Sequence, residues 1–262
     1  MTLLEIAAGI AVGAVAVPAL AADMPTKAPP PIAAPVYNWT GFYVGAHAGY
    51  RWANADFNGG AYTFDPPGDP TPLSIPARNE GYRLNGGIVG GHVGYNYQFA
   101  PNWLAGVEGD LTWGSADDSF GAALNVQASD GATYRLNYNS EVKLTWQATI
   151  RGRLGYVTGA WLFYGTGGVA FARAQWSETA LVTGPGGFFA ASSASSAKKT
   201  LTGFAAGAGA EYMFAQNWMG RVEYLYENFG DFDAPFGFGR IGHVDIDNVH
   251  KVRVGISYKF GP

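Results

Sequence analysis

From Trp39 to the end of the chain, apolar and polar residues alternate with a period of two in eight separate segments. This alternation is typical of β-strands whose two faces meet chemically different surroundings. The clearest segment sets Leu144, Trp146, Ala148, Ile150, Leu154 and Tyr156 against Lys143, Thr145, Gln147, Thr149, Arg151 and Arg153. The pattern predicts an all-β fold of eight strands.

The eight segments lie at residues 42–52, 89–99, 103–113, 143–156, 161–176, 203–214, 218–226 and 251–260. The fifth segment is apolar on both faces, so the sequence does not predict which of its residues point inward. Tight turns at residues 100–102, 158–159 and 215–217 alternate with long loops near residues 54–84, 115–140, 177–199 and 228–247. Short turns at one end and long loops at the other are typical of an up-and-down outer-membrane barrel.

The orientation of the two faces decides between a membrane barrel and a soluble barrel, because soluble eight-stranded barrels also alternate. Many glycines lie on the polar face, as a narrow and crowded interior requires. Aromatic residues stand at the ends of the apolar faces, as interfacial girdles do. The predicted girdle consists of Phe42, Trp52, Trp103, Trp113, Trp218, Tyr226, Tyr258 and Phe260. These features favour an eight-stranded antiparallel transmembrane β-barrel with short periplasmic turns and long extracellular loops.

The composition agrees with strands that face lipid on one side only. Charged residues make up 14% of the chain, against the quarter typical of soluble proteins, while the mean hydropathy is only −0.01. A net charge of −4 argues against a nucleic-acid partner. The absence of cysteine excludes disulfides, thiolate metal sites and a cysteine nucleophile.

The start of the chain predicts export. The run 6–20 is apolar, and Ala19-Leu20-Ala21 matches a signal-peptidase site, although residues 1–5 carry no basic residue. We therefore expect a signal peptide at 1–22, a proline-rich periplasmic spacer at 23–38 and a β-barrel at 39–262. The destination predicted by these features is the bacterial outer membrane.

Inward-facing charges of both signs are predicted to form an ion-pair network inside the barrel. Its expected members are Arg51, Glu108, Asp110, Arg151, Arg153, Glu211, Arg221, Glu223, Lys251 and Arg253. Eight strands leave an interior just wide enough for side chains to fill, which favours a plugged lumen. A narrow ion or small-solute channel gated by these salt bridges is the alternative.

Metal and enzyme chemistry are weaker hypotheses. His243, Asp245 and Asp247 share one strand face, but His250 lies on the other, and His47 with His92 forms only a pair. A lipid-modifying enzyme would need a Ser–His pair at the rim, and no histidine is followed by serine two residues later. We predict no cofactor, no metal site and no enzymatic activity.

Three stretches resemble a known family: the turn 38–45 (NWTGFYVG), the segment 207–212 (GAGAEY) and the end 254–260 (VGISYKF). They are similar to the outer-membrane immunogenic, porin-family proteins of alphaproteobacteria and, more loosely, to the barrel of outer membrane protein A. The resemblance implies a surface-exposed antigen with a structural role. It also implies contacts with outer-membrane lipids and recognition of the last strand by the barrel-insertion machinery.

Gly261 and Pro262, which follow the usual terminal aromatic, are expected to weaken that recognition. The loops are then candidate contact sites for host molecules or phage.

Overall fold

The computed structural model describes residues 37–67 and 71–261. The predicted signal peptide and residues 23–36 of the predicted spacer lie outside the described residues. Regular structure begins at Gly41, close to the predicted start of the barrel.

The described chain is built almost entirely from β-strands. Eight long strands form the barrel: β1 Gly41–Gly59, β5 Gly86–Ala100, β6 Trp103–Gln127, β7 Thr133–Thr158, β8 Trp161–Thr183, β9 Phe189–Ala215, β10 Trp218–Asn228 and β12 Arg240–Lys259. Four shorter strands lie between them: β2 Tyr62–Phe64, β3 Leu73–Ile75, β4 Arg78–Arg83 and β11 Gly230–Phe236. A single 3-10 turn, Pro185–Gly187, joins β8 to β9.

Each barrel strand pairs antiparallel with its neighbours in chain order, and the last strand pairs with the first. That closing pair, β12 with β1, runs in continuous register from Tyr43 opposite Lys259 to Trp52 opposite His250. A closed ring has no edge strand, so every barrel strand finds a partner on both sides. Closure is the condition under which strands can cross a hydrocarbon layer, where water cannot satisfy the backbone. The predicted eight-stranded fold is confirmed.

The outer surface carries a belt of exposed apolar side chains. The predicted girdle residues all point outward; Phe42 is 64% exposed, and Tyr226 is the most covered of the set. On β6 the belt runs from Trp103 to Trp113, about 33 Å along the strand at 3.3 Å per residue. At a tilt near 40° this corresponds to about 25 Å along the barrel axis, the height of the apolar band of an outer-membrane barrel. Among the described residues, no helix is long and apolar enough to cross a membrane.

The two ends of the barrel differ. At the short-turn end, the connections at residues 101–102, 159–160 and 216–217 are tight turns. At the hairpin end, the long connections are present, but most of their length is paired β-structure instead of irregular loop. β7 has 26 residues, more than twice the nine to eleven that cross a bilayer. The period-two alternation continues in these hairpins, where Leu136 and Val182 point inward. The segments were predicted to be loops because they are rich in Gly and Ser.

The predicted faces of the fourth segment are wrong at its beginning. Leu144 is fully buried and Lys143 faces outward, the reverse of the predicted assignment. The pairing of β7 with β8 shifts between Leu144 and Gln147, so a bulge at Thr145 and Trp146 exchanges the two faces. From Gln147 onward the predicted faces hold.

The barrel interior is layered along its axis. An apolar cluster around Trp39, Leu104 and Met219 fills the short-turn end. Charged residues occupy the middle. Beyond them lies a second apolar cluster, which contains Phe57, Trp176 and Phe236 along with many alanines, and a third cluster fills the hairpin tips beneath β2 and β3. Apolar clusters and charged residues thus alternate along the described length of the barrel.

We predict that Gly168→Ala lowers the free energy of unfolding by about 1–3 kcal/mol, the usual cost of overpacking. Gly168 faces the interior, and a Cβ there would stand 2.7 Å from Arg151 Cα. Gly167→Ala is the matched control, because a Cβ on that outward residue would come no closer than 3.7 Å to Ala205 O. Urea titration of the refolded protein measures both changes, and equal effects would contradict this account of the crowded interior.

Candidate functional site: the charged interior of the barrel

The ten residues of the predicted ion-pair network all lie inside the barrel. Each is at most 6% exposed. The strands that carry them are β1, β6, β7, β9, β10 and β12, because the period of two turns every second residue of a strand inward. We call the eight residues that pair directly with one another the charged layer: Glu108, Asp110, Glu211, Glu223, Arg151, Arg153, Arg221 and Arg253.

Glu108 is the centre of the charged layer. Its carboxylate accepts hydrogen bonds from Arg151 at 2.7 Å and from Arg221 at 2.5 Å, and it pairs with Arg153 at 3.3 Å. Tyr43 donates a further hydrogen bond to it at 2.7 Å. A buried carboxylate is strongly destabilising unless it is paired and hydrogen-bonded, and Glu108 has both kinds of partner.

The remaining carboxylates share the same guanidinium groups. Asp110 accepts from Arg151 at 3.0 Å and from Arg253 at 3.1 Å. Glu223 lies 3.0 Å from Arg151 and 2.5 Å from Arg253. Glu211 lies 2.7 Å from Arg221 and 2.9 Å from Arg153. Four carboxylates therefore neutralise four guanidinium groups, and the charged layer has no net charge.

Several of these pairs span the barrel interior, and one of them crosses its full width. β6 and β10 are separated by three strands in either direction around the ring, so Glu108 and Arg221 bond across the diameter. Arg253 on β12 reaches Asp110 on β6, and Arg151 on β7 reaches Glu223 on β10. The side chains thus meet at the axis instead of lining an open wall.

A second group, on the hairpin side of the charged layer, includes residues that the sequence did not single out. Lys251 donates to Glu227 at 2.7 Å, and both side chains are fully buried. Gln147 joins this pair to Arg51, since it donates to Glu227 at 3.0 Å and accepts from Arg51 at 2.7 Å. Arg51 also donates to the carbonyls of Gly114 and Leu144. The sequence contained a signal for Glu227: it lies two residues beyond Leu225 on β10, so the strand alternation turns both side chains inward.

The two inward histidines extend the hydrogen-bonded interior towards β5. The Nδ1 atoms of His47 and His92 lie 3.3 Å apart, and His47 Nε2 lies 3.0 Å from Thr112 Oγ1. His92 Nε2 lies 2.7 Å from Ser257 Oγ. His92 on β5 and Ser257 on β12 meet over Gly45 of β1, which pairs with both, so a search for serine two residues after histidine misses this Ser–His pair. Both residues are enclosed, at 3% and 1% exposure, away from the rim.

A separate buried ion cluster lies on the hairpin side of the apolar belt. Arg78 donates to Glu80 at 2.8 Å and to Glu178 at 2.9 Å, and its guanidinium stacks on the ring of Tyr138 at 3.6 Å. Burial alone would lower the pKa of Arg78, but its bonds to the two carboxylates outweigh burial and raise that pKa. Burial, together with Glu80, raises the pKa of Tyr138 to about 12. Because residues 54–84 and 177–199 were predicted to be loops, these residues were missed.

The remaining histidines do not form the hypothesised metal site. The prediction that His243 and His250 lie on opposite faces is wrong, because an irregularity near Asn248 shifts the alternation and both histidines face outward. His243 lies 3.1 Å from Asp233, and His250 stacks on Trp52 with ring centroids 5.9 Å apart. Across residues 37–67 and 71–261, no group of three or more His, Cys, Asp or Glu side chains is arranged to hold a metal ion.

The model of one protein family matches residues 7–260, nearly the whole chain, and is described as the outer membrane protein beta-barrel domain. The chain belongs to this family. It is 35% identical over 255 residues to the 31 kDa outer-membrane immunogenic protein of Brucella melitensis, a match that covers 92% of the chain and 93% of the relative. It is 27% identical to the 22 kDa outer membrane protein of Rhizobium leguminosarum bv. viciae, covering 86% and 80% of the two chains. The crystal structure of OprG from Pseudomonas aeruginosa matches with a TM-score of 0.43 at 16% identity, covering 85% and 97%.

This outer-membrane barrel therefore carries its apolar belt towards lipid and its charged layer towards its axis. The predicted outer-membrane location and the resemblance to alphaproteobacterial immunogenic proteins are confirmed.

We predict that Lys251→Met or Glu227→Leu alone lowers the free energy of unfolding by about 3–5 kcal/mol, because each leaves a buried charge without its partner. The double variant removes both charges and is expected to recover most of that loss. Lys143→Met provides the control: the Lys143–Glu141 pair is partly exposed, and its loss should change stability far less than either single buried variant does. A double variant as unstable as the sum of the singles would contradict the predicted coupling.

Proposed function

We propose that this outer-membrane barrel is a structural, surface-exposed protein whose lumen is closed by its own side chains. In this proposal the barrel is a rigid support in the membrane, and its function lies in the hairpins that it projects beyond the lipid. The observation that carries the proposal is the set of ion pairs that span the barrel interior, above all Glu108 with Arg221 across the diameter and Asp110 with Arg253.

Two further features support closure. The second apolar cluster stands beyond the charged layer and the Lys251–Glu227 pair, and its largest side chains, Phe57 and Trp176, stack with ring centroids 4.7 Å apart. The ion cluster of Arg78, Glu80 and Glu178 then ties β4 to β8 across the hairpin end. An ion would have to break paired charges and pass an apolar section without water, and both are costly.

The long hairpins support a role at the cell surface. β6 to β9 extend far beyond the apolar belt, and their outward faces carry mainly Ser, Thr and Asn, as in Thr133, Asn139 and Thr179. Such segments on a rigid scaffold are where surface proteins usually place variable function. The relative from Brucella melitensis is named an immunogenic protein, which agrees with exposed hairpins that antibodies, phage or host molecules contact.

We predict that the purified protein gives no steady single-channel openings in planar lipid bilayers. The ion pairs that span the interior and the apolar cluster beyond them leave no continuous water path in this proposal. A known open porin inserted under the same conditions provides the positive control. Reproducible openings of one size would overturn the closed lumen and favour the narrow channel.

We predict that the hairpins are accessible from outside the cell and that the short turns are not. The chain has no cysteine, so single variants report on one position each. Thr133→Cys at the tip of β7 should react with a membrane-impermeant maleimide on intact cells. Gln216→Cys, exposed in the turn between β9 and β10, should react only after the outer membrane is permeabilised. The opposite labelling pattern would refute the proposed surface role.

A further inference from the structure

Three aspartates lie directly opposite one another on the outer face of the hairpin end, beyond the apolar belt. Strand register pairs Asp245 on β12 with Asp56 on β1 on one side and with Asp231 on β11 on the other. We call these three residues the aspartate row. Like charges that face each other directly across neighbouring strands destabilise a sheet. Two more aspartates, Asp233 and Asp247, lie two residues from the row on β11 and β12, so negative charge is concentrated there.

The described chain places little positive charge beside the aspartate row. None of its ion pairs joins a lysine or an arginine to the row. On β4, Arg83 pairs with Asn54 and is therefore diagonal to Asp56, at about 7–8 Å and on the side away from β12. On β10, Asn228 is uncharged and donates to Asp247 at 2.6 Å. The carboxylates of the row thus repel one another at neutral pH.

Asp245, in the middle of the row, is only partly exposed. Its Oδ1 atom is buried and has no hydrogen-bond partner in the described part of the chain. Burial raises the pKa of this carboxyl, and the nearby carboxylates of Asp247, Asp231 and Asp56 raise it further. A carboxyl whose pKa is higher in the folded state binds its proton more tightly there than in an unfolded chain. Its contribution to stability is therefore full in acid and is lost as the pH rises through the raised pKa.

His243 adds a second response to protons at the same place. It lies on β12 two residues before Asp245, and its Nδ1 atom is 3.1 Å from Asp233 and 3.9 Å from Asp231. Protonation of the imidazole turns both contacts into ion pairs between β12 and β11. Acid thus removes a repulsion at Asp245 and adds an attraction at His243. Both changes favour the pairing of the two strands.

The backbone of β11 is held on one side only. Its ladder runs to the first residues of β12, and among the described residues it forms no ladder with β9 on its other side. Isolated hydrogen bonds hold it there, such as the one at 2.8 Å from Trp176 to the carbonyl of Pro235. The inward rings of β11, Phe232 and Phe236, belong to the second apolar cluster. The pairing of β11 with β12 therefore determines how firmly β11 covers that cluster.

We propose that the aspartate row and His243 make the hairpin of β11 and the start of β12 a pH-sensitive cover over the second apolar cluster. In acid, Asp245 is neutral and a charged His243 pairs with the aspartates of β11, so the cover is held down. At neutral pH the carboxylates repel one another and the hairpin opens more often. The charged layer takes no part in this response, so the proposal does not depend on the closed lumen.

The test measures amide hydrogen exchange of β11 in the refolded full-length barrel in detergent micelles by mass spectrometry. Samples at about pH 5 and about pH 7.5 bracket the titration of histidine. Low ionic strength keeps salt from screening these exposed charges, and a chelator keeps divalent cations from neutralising the carboxylates in place of protons. Rates are corrected for the intrinsic effect of pH and compared with those of the β7–β8 hairpin. Exchange in β11 should be about threefold to tenfold faster at the higher pH, as expected for two opposed pairs of like charges.

Three variants identify the groups responsible. Asp245→Asn removes the central charge with little change in shape, so its β11 should exchange at the higher pH as slowly as wild type does in acid. His243→Gln should retain only the part of the pH dependence that belongs to Asp245. The matched control, Asp130→Asn, removes an exposed carboxylate from the turn between β6 and β7 and keeps an oxygen that accepts from the Ala132 amide. It should respond to pH like wild type.

Exchange in wild-type β11 that does not change with pH would overturn the inference. A full wild-type response in Asp245→Asn, or equal effects of Asp245→Asn and Asp130→Asn, would also overturn it. Heat-dependent gel migration verifies that every variant is folded.

Discussion

The requirement that every backbone N–H and C=O be paired within the bilayer governs the rest of this structure. The pairing of β12 with β1 meets it by closing the sheet. A ring of only eight strands has a narrow interior, and about half of the strand residues point into it. Most inward positions are consequently small, apolar, or polar with partners; Asn96, whose buried side-chain amide makes no hydrogen bond within the described chain, is an exception. The distribution of glycines, paired charges and apolar clusters follows from this geometric limit.

Within that limit, the middle of the barrel holds charges because they neutralise one another. An unpaired Glu108 carboxylate would be strongly destabilising there, but Arg151, Arg153 and Arg221 surround it. These arginines also pair with the other three carboxylates of the charged layer. The apolar clusters on both sides limit access of water to these pairs, which strengthens their attraction and raises the cost of breaking any one. The network thus fixes the positions of the strands relative to one another more than it adds to the net free energy of unfolding.

The sequence was sufficient where the period of two is unbroken. It assigned Arg221 and Glu223 to the inward face and Trp218 and Tyr224 to the outward face, which is where they lie. It failed at Leu144, because a bulge exchanges the two faces and has no signature in hydrophobicity. The sequence could not predict which inward side chains contact one another. Glu108 meets Arg221, 113 residues away, because of ring geometry, and Arg78 was lost among residues predicted to form a loop.

The same residue types serve opposite purposes on the two sides of the barrel wall. Inside, arginines are matched by carboxylates, so the charged layer presents no charge to a solute. Outside, beyond the apolar belt, residues of both signs lie on the surface, as with Lys143 on β7, which is bound to Glu141 and pairs with Asp117 on β6. Packing does not dictate the identity of these exposed residues, since solvent could satisfy any polar side chain there. The charged side chains that solvent reaches therefore lie on the outer surface.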